Sequence, residues 1–123
     1  MNLKNYIGGR FVDGEELQKV GVYNPANGEE LAKVPLSTKE EVNQAVEFAK
    51  KAQKEWAKVP AVKRAEFLYE IGFRLKEKKE HLAQILTKEM GKVIEEARGE
   101  VQEGIDMAFY MAGEGRRLFG ETT

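Results

Sequence analysis

The spacing of apolar residues changes once along this chain of 123 residues, and that change constrains its fold more than any other feature. Before Pro35, short runs with β character alternate with turn residues. From Ser37 onward, apolar residues recur every three or four positions, which indicates helices. The sequence therefore predicts a mainly α fold with an N-terminal β-hairpin arm (α+β). We expect the arm to cover residues 1–36 and a helical segment of three to four helices to cover 37–123.

The arm contains three short runs of β character. The first, at 6–12, is predicted to stop at the turn dipeptide Asp13-Gly14. The second and third, at 20–23 and 31–34, are predicted to pair as a hairpin across the turn-rich loop 24–28. Because an isolated hairpin of this size is only marginally stable, we expect it to pack against another element.

The first helix has a clear start signal. Ser37 with Glu40 forms a capping box, and Thr38 with Glu41 offers a second register. The apolar residues that follow predict one helical face: Val42, Ala45, Val46, Ala49, Ala52 and Trp56. Pro60 either ends this helix or opens the next one.

Glycines punctuate the remaining helices. Gly72 lies within a helical pattern, where it costs about 1 kcal/mol relative to alanine, so we expect a neighbouring element to approach it closely. The charged run at 76–80 indicates a solvated face or a kink. Gly91 stands where a left-handed C-terminal cap belongs, and the last helix is expected to start near Val93.

Composition excludes several kinds of function. The chain has no cysteine and one histidine, which excludes disulfides, a cysteine nucleophile and a multi-histidine metal site within it. Its net charge is −1, which argues against nucleic-acid or anionic-membrane binding. No apolar stretch is long enough to span a membrane, and the first residues do not read as a signal peptide. We therefore expect a cytoplasmic protein.

Glu89 is the most informative single residue. It lies seven, four and three positions after Leu82, Ile85 and Leu86, so helical spacing directs its carboxylate along an apolar stripe. A buried carboxylate needs a partner, a proton or a metal ion. The alternative is that Glu89 lies at the helix end and reaches solvent or a backbone N–H.

Other candidate features have ordinary explanations. His81 has no catalytic partner nearby and is expected on a helix surface. Gly113-Glu114-Gly115 follows a helix, whereas a dinucleotide-binding loop follows a strand, so we interpret it as a turn at the helix end. Gly8-Gly9 is an equally weak candidate. The lysines between 76 and 92 are interleaved with glutamates that cancel most of their field.

Three stretches occur in a fixed order along the chain: Tyr6-Ile7-Gly8-Gly9-Arg10-Phe11-Val12, then Tyr23-Asn24-Pro25-Ala26-Asn27-Gly28-Glu29, then Arg64-Ala65-Glu66-Phe67-Leu68 leading to Glu89-Met90-Gly91-Lys92 and Gly99-Glu100-Val101. In order and spacing, they resemble the beginning of an aldehyde dehydrogenase of the NAD(P)-dependent superfamily. The resemblance covers essentially the whole chain.

The resemblance implies a parent enzyme that oxidises an aldehyde to a carboxylic acid through a cysteine thioester, with hydride passing to NAD or NADP. The catalytic and cofactor-binding residues of the family all lie beyond the equivalent of Thr123. The chain is thus expected to be an N-terminal fragment, the start of the α/β cofactor-binding domain, without the catalytic domain. We expect it to be inactive alone, to bind no NAD or NADP, and to have the remainder of the dehydrogenase as its partner. The parent is expected to be a homo-oligomer.

The resemblance also implies one site within the chain. Many family members bind a monovalent cation, with an acidic side chain at the position of Glu89 and backbone carbonyls around Val22 and Tyr23. Carboxylate and carbonyl oxygens suit sodium or potassium. The remaining ligand would come from later in the parent chain.

Two alternatives to the fragment interpretation stay open. The chain could be a non-enzymatic helical interaction module whose apolar helix faces bind a partner. It could also be a dehydrogenase-derived regulator that pairs with a full-length copy.

Overall fold

The computed structural model describes residues 1–12, 18–117 and 119–120, which fall into two compact units. Met1–Lys58 form the first unit and Val59–Thr123 the second. The strands end before the first helix begins at Lys39, yet this helix groups with the strands. The compact units therefore divide the chain behind the first helix, and the predicted division into arm and helical segment stays a prediction.

The first unit opens with a tight hairpin of β1 (Asn5–Ile7) and β2 (Arg10–Val12), which are antiparallel. Gly8-Gly9 forms the turn, with positive φ angles of 62° and 83°. Such angles suit the twist of the flanking strands, and glycine adopts them without the clash of a Cβ. The prediction of one continuous run over 6–12 was therefore wrong, because the two glycines fold it back on itself. The turn predicted at Asp13-Gly14 lies outside the described residues.

The second hairpin confirms its prediction. β3 (Lys19–Tyr23) and β4 (Glu30–Pro35) pair antiparallel. Asn24 organises the loop between them: its Oδ1 accepts a hydrogen bond from the Ala26 N–H at 2.9 Å, and its carbonyl accepts one from the Gly28 N–H at 2.8 Å. Gly28 has a φ of 76°, a left-handed conformation that glycine adopts readily in such a loop.

The first residues of the chain support this hairpin from its other edge. The Leu3 N–H donates to the Lys33 carbonyl at 2.9 Å, and the Lys33 N–H donates to the Met1 carbonyl at 2.9 Å. A third extended segment thus runs beside β4, in a parallel bridge at Asn2 and Lys33. The additional pairing satisfies backbone groups that a two-stranded hairpin would leave to solvent.

α1 (Lys39–Trp56) begins at a capping box built on Thr38 and Glu41. Thr38 Oγ1 accepts a hydrogen bond from the Glu41 N–H at 3.2 Å, and the Glu41 carboxylate accepts one from the Thr38 N–H at 3.1 Å. Ser37 Oγ instead accepts a bond from the Asn5 amide at 2.7 Å. Of the two registers that the sequence offers, the structure therefore adopts the second.

α1 forms as predicted, but no residue of it is buried. Val42 and Val46 are 53% and 45% exposed. Only one flank of the helix meets the first hairpin, where the ring of Phe48 lies so close to Gly8 that a Cβ at Gly8 would be 3.0 Å from it. The remainder of the apolar stripe stays accessible in this chain.

The second unit consists of α2 (Ala61–Glu77), α3 (Lys79–Met90) and α4 (Ile94–Gly113), followed by a 3-10 turn at Glu114–Arg116. The number and placement of these helices match the sequence prediction. Lys78 separates α2 from α3, so the charged run around it is a kink, one of its two predicted interpretations.

The ends of α3 and α4 follow their signals as well. Gly91 caps α3 in the left-handed region, with φ 76° and ψ 10°, and its N–H donates to the Thr87 carbonyl at 2.8 Å. Val93 is the N-cap of α4. Both positions agree with the prediction, because a residue without a Cβ is favoured where the backbone must turn left-handed.

Small side chains build the core of the second unit. The buried residues of its three helices are Ala65 and Gly72 of α2, Ala83 of α3, and Ala97, Ile105, Ala108 and Ala112 of α4. α4 contacts both α2 and α3. A Cβ at Gly72 would lie 2.8 Å from the ring of Phe109, which confirms the predicted close approach at this glycine.

Candidate functional site

Glu89 lies in the last turn of α3 and is exposed. The stripe on which it was placed is itself only partly covered, with Leu82 and Leu86 half-buried and Ile85 45% exposed. The expectation of an inward-facing carboxylate is therefore wrong for this chain, and the helix-end alternative describes its position. At the C-terminal end of a helix the backbone dipole is negative, which disfavours a carboxylate and favours a cation near it.

Val22 and Tyr23 lie at the end of β3, at an irregularity in the ladder. Val22 pairs with Ala32 and Tyr23 with Glu30, so Leu31 of β4 has no partner in register. Such a bulge disrupts the regular hydrogen bonding of the neighbouring backbone groups. The Tyr23 hydroxyl lies 3.4 Å from a carboxylate oxygen of Glu30, and its ring lies across Gly21.

Val22 and Tyr23 belong to the first unit and Glu89 to the second. Among the described residues, no three His, Asp or Glu side chains cluster as metal ligands would. The predicted cation site uses one side chain and two backbone carbonyls, so the absence of such a cluster does not test it. The site stays a prediction.

The histidine and the two glycine motifs, which have ordinary explanations in the sequence, lie where those explanations predict. His81 is exposed on α3. Gly113 ends α4 and the next residues form the 3-10 turn, so Gly113-Glu114-Gly115 follows a helix and does not join a strand to a helix. Gly8-Gly9 is the turn of the first hairpin.

A polar network that the sequence analysis missed joins α3 to α4. Arg98 donates two hydrogen bonds of 2.8 Å to Glu80, from Nε and Nη2 to the two carboxylate oxygens. Lys79 donates to Gln102 at 2.8 Å, and Gln102 donates to Asp106 at 2.8 Å. The Arg98 bonds hold the pKa of Glu80 below its ordinary value of 4.5. A two-bond guanidinium–carboxylate pair fixes orientation as well as distance, so it sets the register of the two helices.

A further ion pair, between Lys92 and Glu100, joins the segment after α3 to α4. Lys92 directly follows the cap of α3, and Glu100 lies on α4. No sequence signal pairs these residues, because they lie on different elements and charge pairs can be read from sequence only within one helix.

Aromatic rings occupy the surface between α2 and α4. The rings of Phe73 and Phe109 are 5.2 Å apart in an edge-to-face arrangement, and Tyr69 is 6.3 Å from Phe109. Phe73 nevertheless remains 56% exposed. These rings cover one side of the helix pair and leave apolar area accessible at its edge.

A groove of about 640 Å³ lies in the first unit, between the first hairpin and α1. The hairpin contributes its turn and Tyr6, and the helix contributes mainly alanines and Phe48. Lys51 and Glu55 lie at the helix side of the groove. Apart from these two charged side chains and the Tyr6 hydroxyl, its side-chain lining is apolar, so we interpret it as a packing surface.

Comparison with known proteins decides the family. The family model described as "Aldehyde dehydrogenase family" matches residues 11–123. This chain belongs to the aldehyde dehydrogenase family. A malonate-semialdehyde dehydrogenase of Geobacillus kaustophilus is 46% identical to it over 120 residues, which is 98% of this chain and 25% of that protein. One of Bacillus pumilus is 44% identical over 119 residues, covering 97% and 24%.

Solved aldehyde dehydrogenases share the fold of the chain. Lactaldehyde dehydrogenase from Escherichia coli superposes with a TM-score of 0.93 at 32% identity, over 98% of this chain and 25% of that one. An NADP-dependent glyceraldehyde-3-phosphate dehydrogenase from Bacillus halodurans, complexed with NADP, gives 0.93 at 33% identity, over 100% and 26%.

The chain spans about a quarter of the length of these relatives and corresponds to the N-terminal part of an aldehyde dehydrogenase. The predicted match to the N-terminal part of a dehydrogenase is therefore confirmed, and the expected inactivity of the chain alone stays a prediction. The alternatives, a helical interaction module or a dehydrogenase-derived regulator, receive no support from the comparisons.

In the described part of the chain, no helix has the length and apolar character needed to cross a bilayer. The expected cytoplasmic location stays a prediction.

Proposed function

We propose that the chain is the N-terminal part of an enzyme that oxidises an aldehyde to a carboxylic acid with NAD or NADP, through a thioester on a cysteine outside this segment. The observation that supports this proposal is the match over 98% of the chain, at 46% identity, to a protein named malonate-semialdehyde dehydrogenase. In such an enzyme a cysteine thiolate would add to the aldehyde carbonyl, NAD or NADP would supply the hydride acceptor, and water would hydrolyse the thioester to the acid and free the thiolate.

The role that we propose for this segment is structural. Its helices expose apolar faces, its single histidine is exposed on α3, and the chain has no cysteine that could carry the thioester. The segment would supply packing surface to the rest of the enzyme, and the α3–α4 network would hold that surface in one shape. The remainder of the dehydrogenase chain is thus its proposed partner, within a homo-oligomer of the whole enzyme.

The test compares three preparations in an aldehyde-dependent NAD(P)H absorbance assay. The first is this chain alone, the second is this chain fused to the remaining three quarters of a relative such as the Geobacillus malonate-semialdehyde dehydrogenase, and the third is that remainder alone. We expect turnover only from the fusion. A matched fusion with the nucleophilic cysteine changed to alanine controls for reduction that does not involve the thioester.

Two outcomes would overturn the proposal. Turnover by the purified chain alone would show catalysis by residues within it. A fusion that folds, as judged by cooperative unfolding, and binds the dinucleotide but oxidises none of a panel of aldehydes would show that this segment does not serve such an enzyme.

We further propose that Glu89 and the backbone carbonyls of Val22 and Tyr23 bind sodium or potassium in the full enzyme. Two observations support this: the carboxylate stands at the negative end of α3, and the ladder beside both carbonyls is interrupted. The bound ion would supply charge neutralisation at the helix end and would take no part in the oxidation.

A further inference from the structure

We draw no further inference here: the strongest candidate, the apolar groove of about 640 Å³ between the Gly8–Gly9 turn and α1 together with the exposed apolar stripe of α1, carries nothing, because nothing in the structure shows what covers it.

Discussion

Two helical glycines show how the absence of a side chain affects packing in this fold. Gly72 is buried in α2, and the edge of the Phe109 ring occupies the space where its side chain would be. Gly104 is also helical, in α4, but nothing lies within 4 Å of the position of its Cβ. The two glycines therefore incur a similar backbone entropy cost, and only Gly72 gains packing in return.

These glycines give a matched pair of substitutions. Gly104→Ala should raise the free energy of unfolding by about 0.5–1 kcal/mol, because alanine restricts the unfolded chain and favours helix. Gly72→Ala should lower it by about 1 kcal/mol, because displacement of the Phe109 ring outweighs the same helical gain. Urea unfolding followed by circular dichroism measures both. Equal stabilisation by the two changes would contradict the close approach of α2 and α4.

Glu89 can be tested by its response to cations. In a full-length enzyme carrying this segment, Glu89→Gln should abolish most of the increase in melting temperature that sodium or potassium gives over choline at equal ionic strength. Glu77→Gln is the matched control, since it removes a carboxylate from the end of α2. If the variant and the parent respond equally to sodium and potassium, the cation proposal fails while the proposed oxidation is unaffected.

Whole elements owe their ends to local chemistry and their contacts to distant residues. α1 begins where Thr38 and Glu41 satisfy each other's backbone N–H groups, and α3 ends where Gly91 turns left-handed. These signals act within a few residues, so they are readable from sequence. The Glu80–Arg98 pair joins two helices across 18 positions of chain, and helical packing alone brings its partners together.

Two substitutions distinguish the two possible capping registers of α1. Thr38→Ala should destabilise the first turn by about 1 kcal/mol, because the Glu41 N–H loses its acceptor. Amide hydrogen exchange at Glu41 should therefore speed up about fivefold in that variant. Ser37→Ala should leave this amide nearly unchanged, since the Ser37 hydroxyl binds Asn5 instead. Faster exchange at Glu40 in the Ser37 variant would indicate the other register.

The Glu80–Arg98 pair should make the second unit sensitive to acid. The pKa of Glu80 is lowered in the folded state, so its stabilising contribution is complete above its ordinary value of 4.5 and is lost as pH falls through the lowered value. The stability advantage of the unmodified chain over Glu80→Gln should thus be constant near neutral pH and shrink below 4.5.

Carboxyl NMR titration provides the direct measurement. We expect the Glu80 midpoint below 4.5, and a higher midpoint in Arg98→Met, because the main cause of the lowered pKa is the Arg98 hydrogen bond. Glu103→Gln, an exposed carboxylate of α4, controls for general charge effects. The effect on stability will be small, since exposed ion pairs contribute little. A midpoint that Arg98→Met does not raise would contradict the assigned cause.

At the scale of the whole molecule, many large apolar side chains are exposed to solvent. Phe67 is 57% exposed, and Ile105 is the one large side chain among the described residues that is almost completely buried. Monomers rarely leave large contiguous apolar patches accessible to solvent. This exposure agrees with a chain that spans a quarter of its relatives' length.

The isolated chain should therefore bind hydrophobic dyes and self-associate. We expect dye fluorescence several-fold above that of the active fusion, and a sedimentation coefficient that rises with concentration. Val46→Asp, on the open stripe of α1, should reduce both effects. Gln44→Asp adds the same charge two positions earlier, on nearly the opposite side of the helix, and should reduce neither. A sharply melting monomer that ignores the dye would show that these faces need no covering.

The sequence by itself determined the elements. The change of period at Pro35, the β3–β4 hairpin, the start of α4 at Val93 and the cap at Gly91 all follow from interactions between neighbours in the chain, which a sequence states directly. The sequence also determined the family, because the order and spacing of its motifs can be recognised without knowing any tertiary contact.

The tertiary structure decided what lies beside what. It chose Thr38 over Ser37 as the cap, placed Glu89 in solvent and joined Glu80 to Arg98. Helical spacing predicts the direction in which the Glu89 side chain points, but not whether another element packs against it. Burial depends on which surfaces meet across long stretches of chain, and that information is not local in the sequence.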